Sequence, residues 1–431
     1  MSDHVSRRSF MQGAAVGVTL LGTSSTSWAK ANERIRVCVI GCNGRGKEHI
    51  ERFSTLPNCE VAAICDVDQA VLDRTVDAMV KKGLKKPKTY TDMRKVFEKK
   101  NIDAVSIATP NHWHSLAGIW ACQAGKDVYV EKPCSHNVFE GRKLVEAAAK
   151  YKRIVQHGTQ IRSSKGIQEA VQHLNNGTIG EVYMARGLCY KKRGDIGHKP
   201  DGPVPAGLDW DIWQGPAKDR PFNPNIVHYN WHYWWAYGNG DLGNQGVHQM
   251  DIARWGLNVG LPDKISAMGG MFLFDDDKEV PNTVTTAYSY PNEGKRGKML
   301  VFEVRPWFTN DEKGAKIGAL FYGSEGYMSI DSYNHYQIYM KDGEPGPTAD
   351  AGGDHFGNFL DCVRTRDAAG LAGPIEEGHK SSALCHMGLI SQRLGRTLDF
   401  DPVTEKFKND EEANTYLMRE YRAPFVVPNE V

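Results

Sequence analysis

Three sets of residues in this sequence have the type and spacing to do chemistry together. Gly41-Cys42-Asn43-Gly44-Arg45-Gly46 directly follows an apolar, β-branched run and opens a helical stretch. Glycines in such a turn let main-chain amides and a helix N-terminus close on a diphosphate. Asp66 ends the next apolar run, 20 residues after Gly46, where a carboxylate can accept hydrogen bonds from both hydroxyls of an adenosine ribose. Because an Asp there repels a 2′-phosphate, NAD is the expected cofactor, while Arg45 leaves NADP open. Thr109-Pro110-Asn111 and Glu131-Lys132-Pro133 end two further apolar runs. In an open α/β sheet the carboxyl ends of parallel strands share one edge, and ligands bind there.

The elements that must position these groups follow the same logic. Segments 35–40, 60–65, 104–108, 128–130 and 154–156 read as strands, separated by amphipathic helices over 68–82, 92–99, 114–124 and 138–151. Nearly all-apolar strands alternating with helices predict a doubly wound parallel sheet covered on both faces. After His157 the texture changes. A helix over 166–175 and a strand over 181–190 lead into a Gly/Pro/Trp-rich tract, 191–237, and a helix after Gly246. Alternating segments at 263–274, 283–290, 298–305, 315–322, 327–331 and 335–340 then predict a large open, mostly antiparallel sheet. Helices near 355–364 and 381–394 close this second α/β domain.

The chain has 431 residues, 53 Lys+Arg against 52 Asp+Glu and nine cysteines. A nucleic-acid binder would show a basic excess, and a disordered chain would be poorer in apolar residues. No CxxC or zinc-type Cys/His spacing occurs, so no metal is expected. Ser6-Arg7-Arg8-Ser9-Phe10-Met11, a weakly apolar run to Gly22 and Ser27-Trp28-Ala29 read as a twin-arginine export signal with its cleavage site. Periplasmic location is the expectation, with no membrane span after cleavage. Removing residues 1–29 takes away Arg7, Arg8 and Asp3, leaving 51 basic and 51 acidic residues. The expected division is a signal at 1–31, a Rossmann domain at 32–156, a substrate and oligomerisation domain at 157–400, and a charged tail at 401–431.

Ile107-Ala108-Thr109-Pro110-Asn111-His112-Trp113-His114, followed by Ala124-Gly125-Lys126-Asp127-Val128-Tyr129-Val130-Glu131-Lys132-Pro133, resembles the Gfo/Idh/MocA oxidoreductases. The resemblance continues through Gly158-Thr159-Gln160-Ile161-Arg162, through Asn239-Gly240-Asp241-Leu242-Gly243-Asn244-Gln245-Gly246-Val247-His248-Gln249-Met250-Asp251, and through the segment from His355 to Cys362. It implies that Lys132 lies beside the nicotinamide and the reacting carbon, and that His248, from the second domain, shuttles the proton. An ammonium at a strand end on the cofactor edge can bond the nicotinamide ribose and a substrate oxygen, stabilising negative charge. An imidazole can take a hydroxyl proton near neutral pH. The family commonly carries Asp four residues before this His; here it is Asn244, which can position a hydroxyl but cannot hold a proton. The resemblance also implies a homo-oligomer, a dimer or tetramer.

The expected cofactor contacts are Gly41, Asn43, Gly44, Arg45, Gly46, Asp66, Thr109, Pro110, Asn111, His114, Glu131 and Lys132. On the substrate side, six of the ten tryptophans lie between Trp210 and Trp255, and flat rings with polar edges suit sugars. Arg162, Trp231, His232, Trp234, Asn244 and His248 are the expected sugar contacts. Three functions fit: an NAD(P)-dependent oxidoreductase acting on CH–OH of a sugar, glycoside or cyclitol; a redox-neutral glycosidase or lyase that oxidises its sugar transiently; and a non-catalytic sugar-binding protein. Export favours a tightly held cofactor, because free dinucleotide is scarce outside the cytoplasm.

Overall fold

The computed structural model describes residues 34–431; the segment read as an export signal lies outside them. Six strands form the first sheet: β1 (Ile35–Ile40), β2 (Cys59–Cys65), β3 (Lys88–Tyr90), β4 (Ala104–Ile107), β5 (Asp127–Val130) and β6 (Val155–His157). Their order is β3-β2-β1-β4-β5-β6, parallel throughout. Every residue of β4 and β5 is buried, as a sheet covered on both faces requires. The covering helices are α1 (Arg45–Thr55), α2 (Gln69–Lys81), α3 (Met93–Phe97), α4 (Asn111–Gln123) and α5 (Val138–Lys150). Side chains of Asp68, Asp92 and Asn137 cap α2, α3 and α5, each satisfying amides that a helix start leaves free. The expected helix over 92–99 shortens to α3, and β3, whose residues Lys-Thr-Tyr carry no apolar signature, is an edge strand absent from the expectation.

In the second domain, α6 (Lys165–Asn175) precedes β7 (Val182–Cys189). After the long tract come α8 (Gly240–Asn244), α9 (Gly246–Leu257) and strands β8 (Lys264–Gly270), β9 (Thr283–Tyr290), β10 (Lys298–Val304), β11 (Ile317–Gly323), β12 (Gly326–Ile330), β13 (His335–Met340) and β14 (Pro345–Asp350). With β15 (Leu398–Asp401) and β16 (Lys406–Phe407) they form a ten-stranded sheet, ordered β14-β13-β12-β11-β7-β10-β9-β8-β15-β16. Only β7 and β10 pair in parallel. One face packs on α9 and on α11 (Ile375–Leu394), burying Met250, Phe302, Phe321 and Tyr288 in a common core. The remaining helices are α7 (Trp210–Gln214), α10 (His355–Thr365) and α12 (Glu411–Thr415).

Two regions differ from the expectation. The tract 191–237 has its own aromatic core, with Trp210 stacked on Trp213 at 4.7 Å and Phe222, Tyr233, Trp234 and Tyr237 beside them. The last thirty residues do not trail as a charged tail. Phe407, Ala413 and Leu417 pack into the core of the second domain, and the end of the segment returns to the first domain, where buried Phe425 meets Trp113 at 5.4 Å and Val427 joins the same core. The apolar residues that make this contact are too few to show a period in the sequence. Among the described residues no helix is long and apolar enough to cross a membrane.

Candidate functional site

A cavity of about 590 Å³ runs along the carboxyl edge of the parallel sheet and under the second domain. At one end stands the glycine turn. Gly41 has φ +84°, and a Cβ there would lie 2.7 Å from the Ala108 carbonyl oxygen, so only glycine fits. Gly44, at φ +59°, has nothing within 4 Å of where its Cβ would be, and α1 starts from it without a side-chain cap. A bare helix start facing a cavity beside an open Cα is the shape a diphosphate needs. Asn43, Gly44 and Arg45 line this end. Gly46 does not line it: a Cβ there would stand 1.8 Å from the Gly41 carbonyl oxygen, so this glycine lets α1 close on the turn rather than touching the ligand. Asp66 accepts from the Cys42 amide at 2.8 Å and the Asp68 amide at 3.1 Å. Burial raises its pKa against the pull of those amides, and it lines the cavity where a ribose diol would lie. These residues fit a dinucleotide.

Further along, Glu131 is buried at 4% exposure. One of its oxygens accepts from Arg45 Nε (3.0 Å) and Gln160 Nε2 (2.9 Å) and lies 3.0 Å from His49 Nε2. Burial alone would raise this carboxyl; Arg45 and His49 hold it well below the usual range. Arg45 also pairs with Glu48. Glu131 ends β5, on the opposite side of β1 from β2 and its Asp66, so the Arg45 guanidinium is drawn away from the place of a 2′-phosphate. Lys132 Nζ donates to the main-chain carbonyl of Asn244, and burial lowers its pKa to about 8. His248, on α9, is 5% exposed with Nδ1 unpartnered. Burial first, then the nearby Lys132, keeps its imidazole neutral well below the ordinary 6.5. Lys132, Asn244 and His248 thus meet at one end of the cavity, an ammonium beside a neutral imidazole.

The profile of an oxidoreductase family with an NAD-binding Rossmann fold matches residues 35–159, and that of the same family's C-terminal α/β domain matches 187–265 and 346–427. The chain belongs to the Gfo/Idh/MocA oxidoreductase family. Its first domain is an NAD-binding domain. Among its relatives is a "Glycosyl hydrolase family 109 protein 1" of Shewanella sp. (strain ANA-3), 33% identical over 154 residues; the match spans 35% of this chain and 34% of that protein. The WlbA dehydrogenase from Bordetella pertussis, solved with NADH and UDP-GlcNAcA, shares 20% identity and a TM-score of 0.64 over 86% of this chain and 99% of its own. A levoglucosan dehydrogenase solved with NADH and L-sorbose shares 17% identity and a TM-score of 0.65 over 85% of this chain and 99% of its own. At those identities the likeness is one of fold.

Within this family frame, Thr109, Pro110, Asn111, His114 and Trp231 also line the cavity. His114 faces two main-chain carbonyls, Pro133 at 2.6 Å and Thr109 at 2.7 Å. Burial lowers its pKa while those acceptors favour the charged ring, so it ties two strand-end loops together. Three expected sugar contacts are elsewhere. Arg162 forms a buried two-pronged bridge to Asp251, at 2.6 and 2.9 Å, with Trp255 at 4.9 Å from its guanidinium; it is committed to the core. His232 is 1% exposed and bonds the Tyr229 carbonyl at 2.8 Å, and Trp234 packs in the aromatic core of the tract. His228, four residues before His232, reaches Asp68 Oδ2 at 3.1 Å. Cavity residues outside the expected contacts include Lys191, Trp213, His228, Tyr229, Gln245 and Tyr333, of which Trp213, His228 and Tyr229 lie in the aromatic tract that composition marks. Gln245 holds the Tyr333 hydroxyl at 3.0 Å, and the Tyr333 ring lies 5.3 Å from that of His248. Gln245 stands inside the recognisable motif; Tyr333, in a strand turn, carries no signal.

Proposed function

We propose that this protein oxidises a CH–OH group of a sugar, glycoside or cyclitol. The observation that carries this reading is the convergence of the Lys132 ammonium and the neutral His248 on the same cavity as the glycine turn and Asp66. Bound NAD supplies the hydride acceptor. Lys132 donates to the substrate oxygen and stabilises the charge that grows there as the C–H bond is lost. His248 Nε2 takes the hydroxyl proton, its burial keeping it free to do so at neutral pH. Trp231 and Tyr229 in the cavity wall offer ring faces to a sugar. Glu131, Arg45 and His49 form a neutralised platform that fixes the strand end carrying Lys132.

A redox-neutral glycosidase or lyase is the second reading, favoured by the likeness to the glycosyl hydrolase family 109 relative across the nucleotide domain. In that case the sugar is oxidised, loses its aglycone by elimination, adds water across the new double bond in the glycosidase but not in the lyase, and is reduced again at the same site by the hydride first removed. One experiment separates the two. The purified protein is incubated with paired free sugars and aryl glycosides while reduced-nicotinamide absorbance and aglycone are followed together. Net accumulation of NADH with a ketosugar supports the first reading; aglycone released without net NADH supports the second. Ligand binding with neither signal, and none lost in Lys132→Met, sinks both in favour of a sugar-binding protein. Action in the periplasm, as a homo-oligomer, belongs to the same proposal.

A further inference from the structure

The tract 191–237 belongs to the second domain in sequence, yet it lies along the first. At its middle, the Gln69 amide donates to the Gly207 carbonyl at 3.0 Å and the Asp209 amide to the Val67 carbonyl at 2.9 Å, with Asp68 and Leu208 in an isolated antiparallel bridge. These bonds fall on the turn after β2, within three residues of Asp66. At its end, His228 Nε2 stands 3.1 Å from Asp68 Oδ2. On the other flank, Trp113 Nε1 donates to the Ile212 carbonyl at 3.0 Å, and His112 Nε2 lies 2.8 Å from the Trp213 carbonyl oxygen. The C-terminal segment clips the outside: Arg422 Nε bonds the Gly215 carbonyl at 3.1 Å and Arg419 the Ala236 carbonyl at 2.9 Å. Trp213 and His228 face the same cavity as Asp66, Thr91 and Met93.

We propose that this tract is a strap that encloses the adenosine half of the dinucleotide, and that His228, latched to Asp68, is a cofactor-retaining residue contributed by the second domain. A strand-end groove open to solvent lets a dinucleotide leave whenever its own contacts break. Here departure also requires the strap to lift, and lifting it breaks main-chain bonds on the β2 turn together with the His228–Asp68 contact. The stacked tryptophans make the strap a packed body rather than a loose loop, so the latch acts on the whole segment. The inference rests on nucleotide binding and is independent of which sugar reaction follows.

The test is the rate at which bound NADH leaves, read by loss of energy transfer from the cavity tryptophans when the loaded protein is mixed with excess NAD. His228→Ala removes a side chain that is 38% exposed, so the fold survives. Asp68→Asn keeps Oδ1, which caps α2 through Ala70 and Val71, and loses the charge facing His228. Each variant is expected to release NADH about 3- to 10-fold faster, the range of one partly exposed hydrogen-bonded contact, with an unchanged thermal midpoint for the empty protein. The double variant is expected to release no faster than either single, because both break one contact. Unchanged release in both singles, or effects that multiply in the double, overturns the latch. Because the strap holds the cofactor through this contact, unchanged release overturns the strap as well.

Discussion

Lys132→Met separates what the buried ammonium does for the reaction from what it does to the fold. Burial takes Lys132 from lysine's ordinary 10.5 to about 8. At about 1.4 kcal/mol for each tenfold in proton affinity, keeping the charged form at neutral pH costs the folded protein about 3 kcal/mol. Methionine has similar length and no charge, and relieves that cost. It also deprives the Asn244 carbonyl of its donor, a loss of roughly 1–2 kcal/mol. The variant is therefore expected to be more stable than the wild type by about 1–2 kcal/mol at neutral pH. The sign has a pH signature. Between about 8 and 10.5 the unfolded chain holds a proton at this lysine that the folded chain lacks, so this group makes the wild type more stable as pH rises through that window. The advantage of the variant should shrink accordingly. Turnover should fall by about 100- to 1,000-fold, the usual consequence of removing one preorganised charge-stabilising donor. Urea unfolding at neutral and alkaline pH, run beside turnover on the true substrate, measures both. A variant that is clearly less stable than the wild type at neutral pH, or that keeps its turnover, refutes the reasoning.

Further outcomes follow from the same geometry. His248→Ala should lower kcat by roughly 100- to 10,000-fold, while the wild-type rate of alcohol oxidation holds across mildly acid to neutral pH, where this imidazole is neutral, and falls as pH rises through about 8 with loss of the Lys132 proton; a pH–rate profile checks both limbs. Arg162→Ala should cost about 3–5 kcal/mol, because it strands the buried Asp251 carboxylate, whereas Arg162→Met combined with Asp251→Leu should recover most of that loss in a denaturant titration. Gly46→Ala should abolish soluble folded protein or NAD binding, since the added methyl would overlap the Gly41 carbonyl; an unchanged nucleotide affinity would count against the role given to this glycine.

The parts of the site that could be read in the sequence are those whose position is set by a strand end. Gly41, Asp66 and Glu131-Lys132 each follow a short run of buried apolar residues, and an all-parallel sheet brings such ends to one edge whatever the connecting helices do. His248 could be read because its helix carries a recognisable pattern. Arg162 was misplaced for a physical reason: its partner Asp251 lies 89 residues further along the chain, and a buried arginine with a distant carboxylate looks, locally, like one waiting for substrate. Trp234 and His232 were misplaced because an aromatic run can serve either a ligand or its own packing, and the stacked Trp210–Trp213 pair that decides the matter forms only in three dimensions. His228 reaches the cavity from the tract that composition marks, but which of its residues face inward is settled only by the fold; Tyr333 reaches it from a strand turn, where neither period nor composition marks it. The C-terminal segment was misread because Phe425 and Val427 are too few to show a periodicity, although they close the core around Trp113.

Asn244 is the point at which this chain departs from the Asp expected there, and the geometry changes what that departure means. The ammonium of Lys132 meets the main-chain carbonyl of residue 244, an acceptor that any residue at this position would supply. The side chain therefore decides the electrostatics around Lys132 rather than whether it is held. A carboxylate at 244 would add a full negative charge beside the ammonium and oppose the burial that lowers its pKa. An amide adds none, which leaves Lys132 at about 8, lowered by burial and by the charges of Arg45, Lys191 and Arg193 against the pull of Glu131. A lysine balanced there is charged at neutral pH yet gives up its proton readily, and the adjacent His248 is already neutral. On the proposed reading, proton transfer from a substrate hydroxyl then needs no third acidic group: the imidazole accepts and the ammonium stabilises, in either direction of the reaction. On this reasoning Asn244 sets Lys132 for reversible chemistry, a property that both the dehydrogenase and the redox-neutral reading require.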